Sequence, residues 1–201
     1  VLGQADSRQR LIDGYGTSRM DGKTVGGYAT WYAPGGLYVD LSTRQMAMDI
    51  FATSAAGVLQ SRAHAKALSI EAGYEVEIGG FNLVPQLQYT RTEVEGIRDF
   101  IGNRANFESH GGTFSRTRLG LEFNKPIEHN GVRWTPYGSV NAIRESDGAS
   151  TYTVATNFYG TTSLKGSSGM AEIGLSVEKG GFGFNLGANW TDGGAYKSFA
   201  G

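Results

Sequence analysis

The 201-residue chain has no cysteine, only four prolines, and no apolar run near the ~20 residues a membrane-crossing helix requires. The first absence excludes disulfide scaffolds and thiolate zinc sites. Few prolines beside 31 glycines, with no Gly-X-Y period, exclude a collagen-like chain and point to turns and curved strands. Eighteen Lys and Arg against 19 Asp and Glu leave a net charge of −1, so no basic patch dominates and nucleic acid is not an expected partner. Val1-Leu2-Gly3-Gln4 has neither the basic start nor the apolar core of a signal peptide, and the expectation is that an N-terminal portion is missing.

What is present is alternation. Four Gly-rich turns recur at near-regular intervals: Ala33-Pro34-Gly35-Gly36, Ile78-Gly79-Gly80, His129-Asn130-Gly131 and Lys179-Gly180-Gly181. Glycine and Asn-Gly tolerate the positive φ that tight hairpins need. Each turn is flanked by runs of period two, such as Leu37, Val39 and Leu41 against Tyr38, Asp40 and Ser42. No helical period of comparable length competes. Long polar connections are expected at Arg8 to Lys23, Arg44 to Lys66, Thr92 to Ser115, and Arg144 to Ser168, with another from Thr191. Met46 to Leu59 reads as a strand end plus loop. Pro85 and Pro136 sit in matching places on their return strands, where proline requires relaxed pairing.

Hairpins with tight turns at one end and long loops at the other predict an all-β, antiparallel up-and-down transmembrane barrel, with about nine strands in this chain. A soluble sandwich would show the same alternation with its apolar face in a core. The loop asymmetry favours the barrel. So does a cluster of aromatics near the tight turns (Trp31, Tyr32, Tyr38, Tyr74, Phe81, Phe123, Trp134, Phe182), where an interfacial girdle would lie.

Sites for chemistry are poorly supported. His64, His110 and His129 are scattered, with no His-x-x-x-His spacing, so no metal is expected. The glycines of Gly14-Tyr15-Gly16 and Gly180-Gly181-Phe182-Gly183 do not join a strand to a helix, which disfavours a phosphate loop. No Gly-x-Ser-x-Gly elbow or Ser-x-x-Lys pair supports a serine nucleophile. Asp99 with Glu108, and Glu145 with Asp147, read as solvated loop acids. No catalytic residue and no cofactor is assigned.

Several segments taken together resemble the C-terminal translocator of bacterial autotransporters, the type V secretion proteins. They are Val25-Gly26-Gly27-Tyr28-Ala29-Thr30-Trp31 with Gly36-Leu37-Tyr38-Val39-Asp40, then Ser69-Ile70-Glu71-Ala72-Gly73-Tyr74, Leu83-Val84-Pro85-Gln86-Leu87-Gln88-Tyr89, Arg116-Thr117-Arg118-Leu119-Gly120-Leu121, and Trp134-Thr135-Pro136-Tyr137. The resemblance covers nearly the whole chain. It implies a twelve-stranded barrel domain over residues 1–201, with its first two strands and its final strand absent. It also implies a bacterial outer-membrane location and a role in exporting an N-terminal passenger. The implied partners are outer-membrane lipid, the protein's own passenger and linker helix, and the barrel assembly machinery.

On that pattern Tyr28, Thr30, Asp40, Glu71, Gln86, Gln88, Arg118, Glu122, Tyr137 and Asn141 are expected to face the lumen. Val39, Leu41, Leu68, Ile70, Leu87, Leu121, Val140, Leu175 and Leu186 are expected to face lipid. Leu121→Arg should then be costly and Gln88→Arg cheap. An outer-membrane enzyme or pore and a soluble adhesin-like sandwich are the alternatives.

Overall fold

A computed structural model describes residues 1–10, 16–54, 57–102, 105–155, 158–193 and 197–200. The strands are, in chain order, β1 (Leu2–Arg10), β2 (Thr17–Tyr32), β3 (Leu37–Ser54), β4 (Gly57–Tyr74), β5 (Val76–Ile78), β6 (Phe81–Val94), β7 (Ile97–Ile101) and β8 (Ala105–Ser109). There follow β9 (Gly112–Asn124), β10 (Ile127–His129), β11 (Val132–Glu145), β12 (Ala149–Val154), β13 (Phe158–Ser163), β14 (Gly166–Lys179), β15 (Phe182–Gly193) and β16 (Lys197–Ala200).

The principal sheet runs β1-β2-β3-β4-β6-β9-β11-β14-β15-β16, each strand antiparallel to the next. The short β5 and β10 resume the lines of β4 and β9 after a break. The topology is an up-and-down meander of nine strands followed by the four residues of β16.

The four tight turns fall where the glycines place them. Asn130 and Gly131 have φ of 51° and 70°, and Gly180 and Gly181 of 56° and 86°, the left-handed pairs that match strand twist in a two-residue hairpin. The prolines mark the breaks. Pro85 on β6 lies between the stretch paired with β4, which ends at Gly73↔Gln86, and the stretch paired with β5, which begins at Val76↔Leu83. Pro136 on β11 lies between Tyr137↔Asn124 of β9 and Trp134↔Ile127 of β10. Proline offers no N–H, so the opposing strand bulges there, and the two hairpins repeat one solution.

The other end of the sheet differs from the expectation of long loops. Residues 44–54 and 57–66 continue β3 and β4 in unbroken register, from Arg44↔Ala67 to Ser54↔Gly57. The supposed loop from Arg8 to Lys23 contains the end of β1 and the start of β2, paired as far as Arg10↔Thr17. The connections after β6 and β11 fold into hairpins of their own, which form a second sheet in the order β13-β12-β8-β7. It docks through backbone bonds from Glu95 N to His64 O and from Gly102 N to Val58 O, at 2.9 and 2.8 Å.

Candidate functional site: a sheet with two unlike faces

Antiparallel partners project to the same side of a sheet, so register assigns the faces. Thr30↔Asp40, Asp40↔Glu71, Glu71↔Gln88 and Gln88↔Arg118 form one row. Tyr28↔Ser42, Gln86↔Gly120, Gly120↔Asn141, Glu122↔Ser139 and Tyr137↔Asn124 bring the other five candidates to that side. All ten residues expected in the lumen share this polar face. The nine expected toward lipid share the opposite one, through Val39↔Ala72, Leu41↔Ile70, Leu68↔Arg91, Leu87↔Leu119, Leu121↔Val140 and Leu175↔Leu186.

The polar face is a connected network. Arg118 on β9 donates from Nη2 to Glu71 Oε2 on β4 at 2.6 Å, from Nη1 to Asn141 Oδ1 on β11 at 2.7 Å, and from Nε to Gln88 Oε1 at 3.2 Å. Gln88 donates to Glu71 Oε2 at 3.0 Å, and the Tyr38 hydroxyl donates to Glu71 Oε1 at 2.8 Å. Gln86 donates to Glu122 at 3.2 Å, while Tyr137 reaches Asn185 on β15 at 3.0 Å. Two of these bonds, Arg118 to Glu71 and Tyr137 to Asn185, pass over a whole intervening strand. Side chains converge in this way where a sheet curls toward them, so the polar face is the concave one.

Glycine makes room for the network. A Cβ at Gly120 would stand 2.5 Å from Asn141 Oδ1 and 3.2 Å from Arg118 Nη1. At Gly73 and Gly174 a Cβ would enter the rings of Tyr38 and Tyr137, which lie flat over those cross-strand partners. One polar atom on this face is left over. Asp40 Oδ1 is buried and accepts no hydrogen bond among the described residues.

The opposite face is apolar and open. Leu68, Ile70, Leu87 and Leu186 are 55, 49, 54 and 62% exposed. Among the described residues the buried apolar side chains are Leu59, Ala63, Ala65, Val84 and Ile143, and register puts every one of them on the concave side. A sandwich would bury the leucines instead. Of the aromatics expected in a girdle, Trp31, Tyr74, Phe81, Phe123, Trp134 and Phe182 lie on the convex face. Tyr32 and Tyr38 do not. They pair with each other on the concave side, ring centroids 6.1 Å apart, because even-numbered positions of β2 and β3 point inward.

Sequence reasoning missed a polarity switch along the strands. On the convex face the apolar band ends between Val25 and Lys23, Leu68 and Lys66, Tyr89 and Arg91, and Ala142 and Arg144. Beyond that line the convex face is charged and laced with ion pairs: Arg19–Asp21 and Arg62–Asp49 at 2.8 Å, Arg91–Glu93 at 3.0 Å. Arg19, bonded to Asp21, holds that carboxyl below the usual carboxylate range. The concave face turns the other way there, with Met20, Met46, Met48, Ala63 and Ala65. The inversion is visible in the sequence as alternation that persists while its phase changes sign.

Of the four acids read as solvated loop residues, Glu108 lies instead on β8 and Glu145 is buried at the end of β11, each in an ion pair. Glu108 pairs with Arg98 at 2.7 Å, and buried Glu145 with Arg116 at 2.6 Å. His64 lies 3.4 Å from Glu95 and His110 3.8 Å from Glu108, while His129 ends β10 beside a tight turn, so the three do not converge. No cluster with metal-binding composition occurs among the described residues.

Comparison with known proteins adds three findings. Residues 1–191 match the model of the autotransporter beta-domain family. The chain is 34% identical over 176 residues to the pertactin autotransporters of Bordetella parapertussis and Bordetella bronchiseptica, covering 84% of this chain and 19% of each relative. The chain thus spans about a fifth of the length of those relatives. Its fold superposes on the beta domain of the Bordetella autotransporter BrkA with a TM-score of 0.78 at 21% identity, covering 98% of this chain and 77% of that one. For the transport unit of AIDA-I from Escherichia coli the TM-score is 0.77 at 16% identity, covering 98% of this chain and 69% of that one.

Proposed function

Because the chain belongs to the autotransporter beta-domain family, a family of the bacterial outer membrane, we propose that residues 1–201 form most of the wall of a barrel that anchors and exports an N-terminal passenger polypeptide. The observation that carries this is the pairing of an open leucine face with a crowded polar one. Lipid solvates the convex face, from Val39 and Leu41 through Leu68, Ile70, Leu87, Leu121 and Val140 to Leu175 and Leu186. The concave face lines a hydrated lumen, where Tyr28, Thr30, Asp40, Glu71, Gln86, Gln88, Arg118, Glu122, Tyr137 and Asn141 meet the transiting chain or a linker helix.

An open sheet edge in hydrocarbon leaves backbone groups unsatisfied at a cost of several kcal/mol each, so further strands close this wall in the membrane. The 77% share of the BrkA beta domain that the chain covers supports a partial domain. Mixed charge on the concave face avoids a single-sign field that would trap a charged passenger. The role is non-catalytic: the lumen acids Glu71 and Glu122 act as wall, partnered by Arg118, Tyr38 and Gln86. Insertion through the barrel assembly machinery goes with this role.

The test is a crosslinking experiment on the full-length protein in cells. A photoreactive residue at Asn141 should capture passenger sequence during export, and the same probe at Val140 should capture lipid. Passenger that becomes protease-accessible on intact cells without ever crosslinking to Asn141 would contradict passage along this face.

A further inference from the structure

Beyond the line where the convex apolar band ends, several of the charges are matched. Arg19, Arg62 and Arg91 each hold a carboxylate at 3.0 Å or less, and His64 faces Glu95 at 3.4 Å. Arg8, Arg10 and Arg144 are in no ion pair among the described residues, and neither are Lys23 and Lys66, which stand at the line itself and share a groove. Lys66 stands opposite Glu93 in register, but Arg91 occupies that carboxylate. Both lysines line one groove of about 640 Å³ on β1 to β4, together with Leu2, Val25, Gln45 and His64. Glu95 also lines it, and its neighbour is His64.

The groove therefore brings an apolar lip and two ammonium groups together. Leu2 and Val25 are 84 and 53% exposed, Lys23 lies one step past Val25 on β2, and Lys66, in line with Val25 through Gln45, lies one step past Leu68 on β4. An ammonium is a compact charge with three donors, and its aliphatic stem lies against apolar surface while its head reaches the interface. Short turns mark the periplasmic end of such a barrel and the longer extensions its external end. That places the groove at the outer leaflet.

We propose that this groove binds a phosphorylated glycolipid of the outer leaflet, its phosphate between Lys23 and Lys66 and an acyl chain along Val25 and Leu2. The occupant follows from charge complementarity joined to an apolar lip, since a free anion would use the lysines and leave Leu2 and Val25 unexplained. The inference rests on the outward orientation of the leucine face.

The experiment uses the full-length protein in detergent, titrated with bisphosphorylated lipid A, with the same lipid lacking its phosphates, and with inorganic phosphate, and read by native mass spectrometry. The bisphosphorylated lipid should be retained, the Lys23→Gln/Lys66→Gln variant should bind it at least tenfold more weakly, and Lys179→Gln at the tight-turn end should leave binding unchanged. The dephosphorylated lipid should bind weakly to all three proteins. Equal retention by the double variant would overturn the site, and displacement by millimolar inorganic phosphate would make it an anion site rather than a lipid one. Heat-dependent gel mobility and the lipid exposure of a label at Val25 are read on the same samples. If that label reports water, the orientation itself fails and the groove falls with it. If it reports lipid and binding is still lost nowhere, only the groove is wrong.

Discussion

Arg118 and Glu71 lie 47 residues apart in the chain and two strands apart in the sheet, yet their charged atoms meet at 2.6 Å. Their side chains are 17 and 14% exposed, so the pair is shielded although it stands on a face lined with water-loving groups. Arg118→Ala leaves Glu71 with only Gln88 and Tyr38, and should destabilise the complete barrel by about 1–3 kcal/mol. Arg118→Lys should recover part of that, because a lysine cannot hold Glu71, Gln88 and Asn141 together. Urea refolding in micelles measures both, and a loss below about 0.5 kcal/mol for Arg118→Ala would remove the network as a stabilising feature.

Substitutions to arginine should separate the faces. Leu121→Arg near mid-bilayer should cost about 2–4 kcal/mol. Gln88→Arg, expected from sequence to be cheap, is not a clean probe, since it brings a second guanidinium beside Arg118 and removes the acceptor Gln88 Oε1 from Arg118 Nε. Thr30→Arg is the informative concave-face variant. It stands opposite Asp40, whose Oδ1 lacks a partner among the described residues, and should cost nothing or stabilise slightly. Equal losses for Leu121→Arg and Thr30→Arg in refolding titrations would contradict the assignment of faces.

How far the sequence foretold this depends on the residue. Gly131 and Gly181 announce their turns because only glycine or asparagine accepts such φ values cheaply, and that signal is local. The sides taken by Leu121 and Gln88 were also legible, because period two survives any change of register by even steps. The extensions of β3 and β4 were not. There Met46 and Met48 alternate with Gln45, Ala47 and Asp49, and the apolar phase has crossed to the other face, which reads as loss of pattern. Arg118 meeting Glu71 was beyond reach too, since it depends on the curl and on the exact offset between β4, β6 and β9.

The Asn130-Gly131 turn should be intolerant of a side chain at its second position. Gly131 has φ of 70°, so Gly131→Val should cost about 1–3 kcal/mol through backbone strain. Gly183→Ala is the control, because its nearest neighbour to an added Cβ is Glu178 Cγ at 4.0 Å and its φ is ordinary. Thermal unfolding of the two variants should differ by several degrees, and coincident transitions would deny the turn its strained geometry.

The extension beyond the apolar band should loosen in acid. The carboxyl of Asp21 titrates low when folded because Arg19 bonds it. A group whose folded value is depressed contributes fully above its unfolded value, near pH 4, and loses that contribution as pH falls through the lower folded value. Hydrogen-exchange protection in the outer parts of β2 and β3, corrected for the intrinsic rate at each pH, should therefore be high at pH 6 and fall below about pH 4. Arg19→Gln should flatten that dependence, whereas an unchanged profile in the variant would assign the acid response elsewhere.

The most direct test of an outward leucine face and an inward polar one uses the absence of cysteine from this chain. Single cysteines at Lys66, Leu68, Ser69, Ile70 and Glu71 carry a spin label in the complete, bilayer-inserted barrel, and accessibility to oxygen is compared with accessibility to a water-soluble nickel chelate. Oxygen should dominate at Leu68 and Ile70, and the chelate at Ser69, Glu71 and, past the polarity line, Lys66. Labels at Leu68 and Ile70 that are shielded from both probes, or that favour the chelate, would contradict the barrel's orientation and the export path built on it.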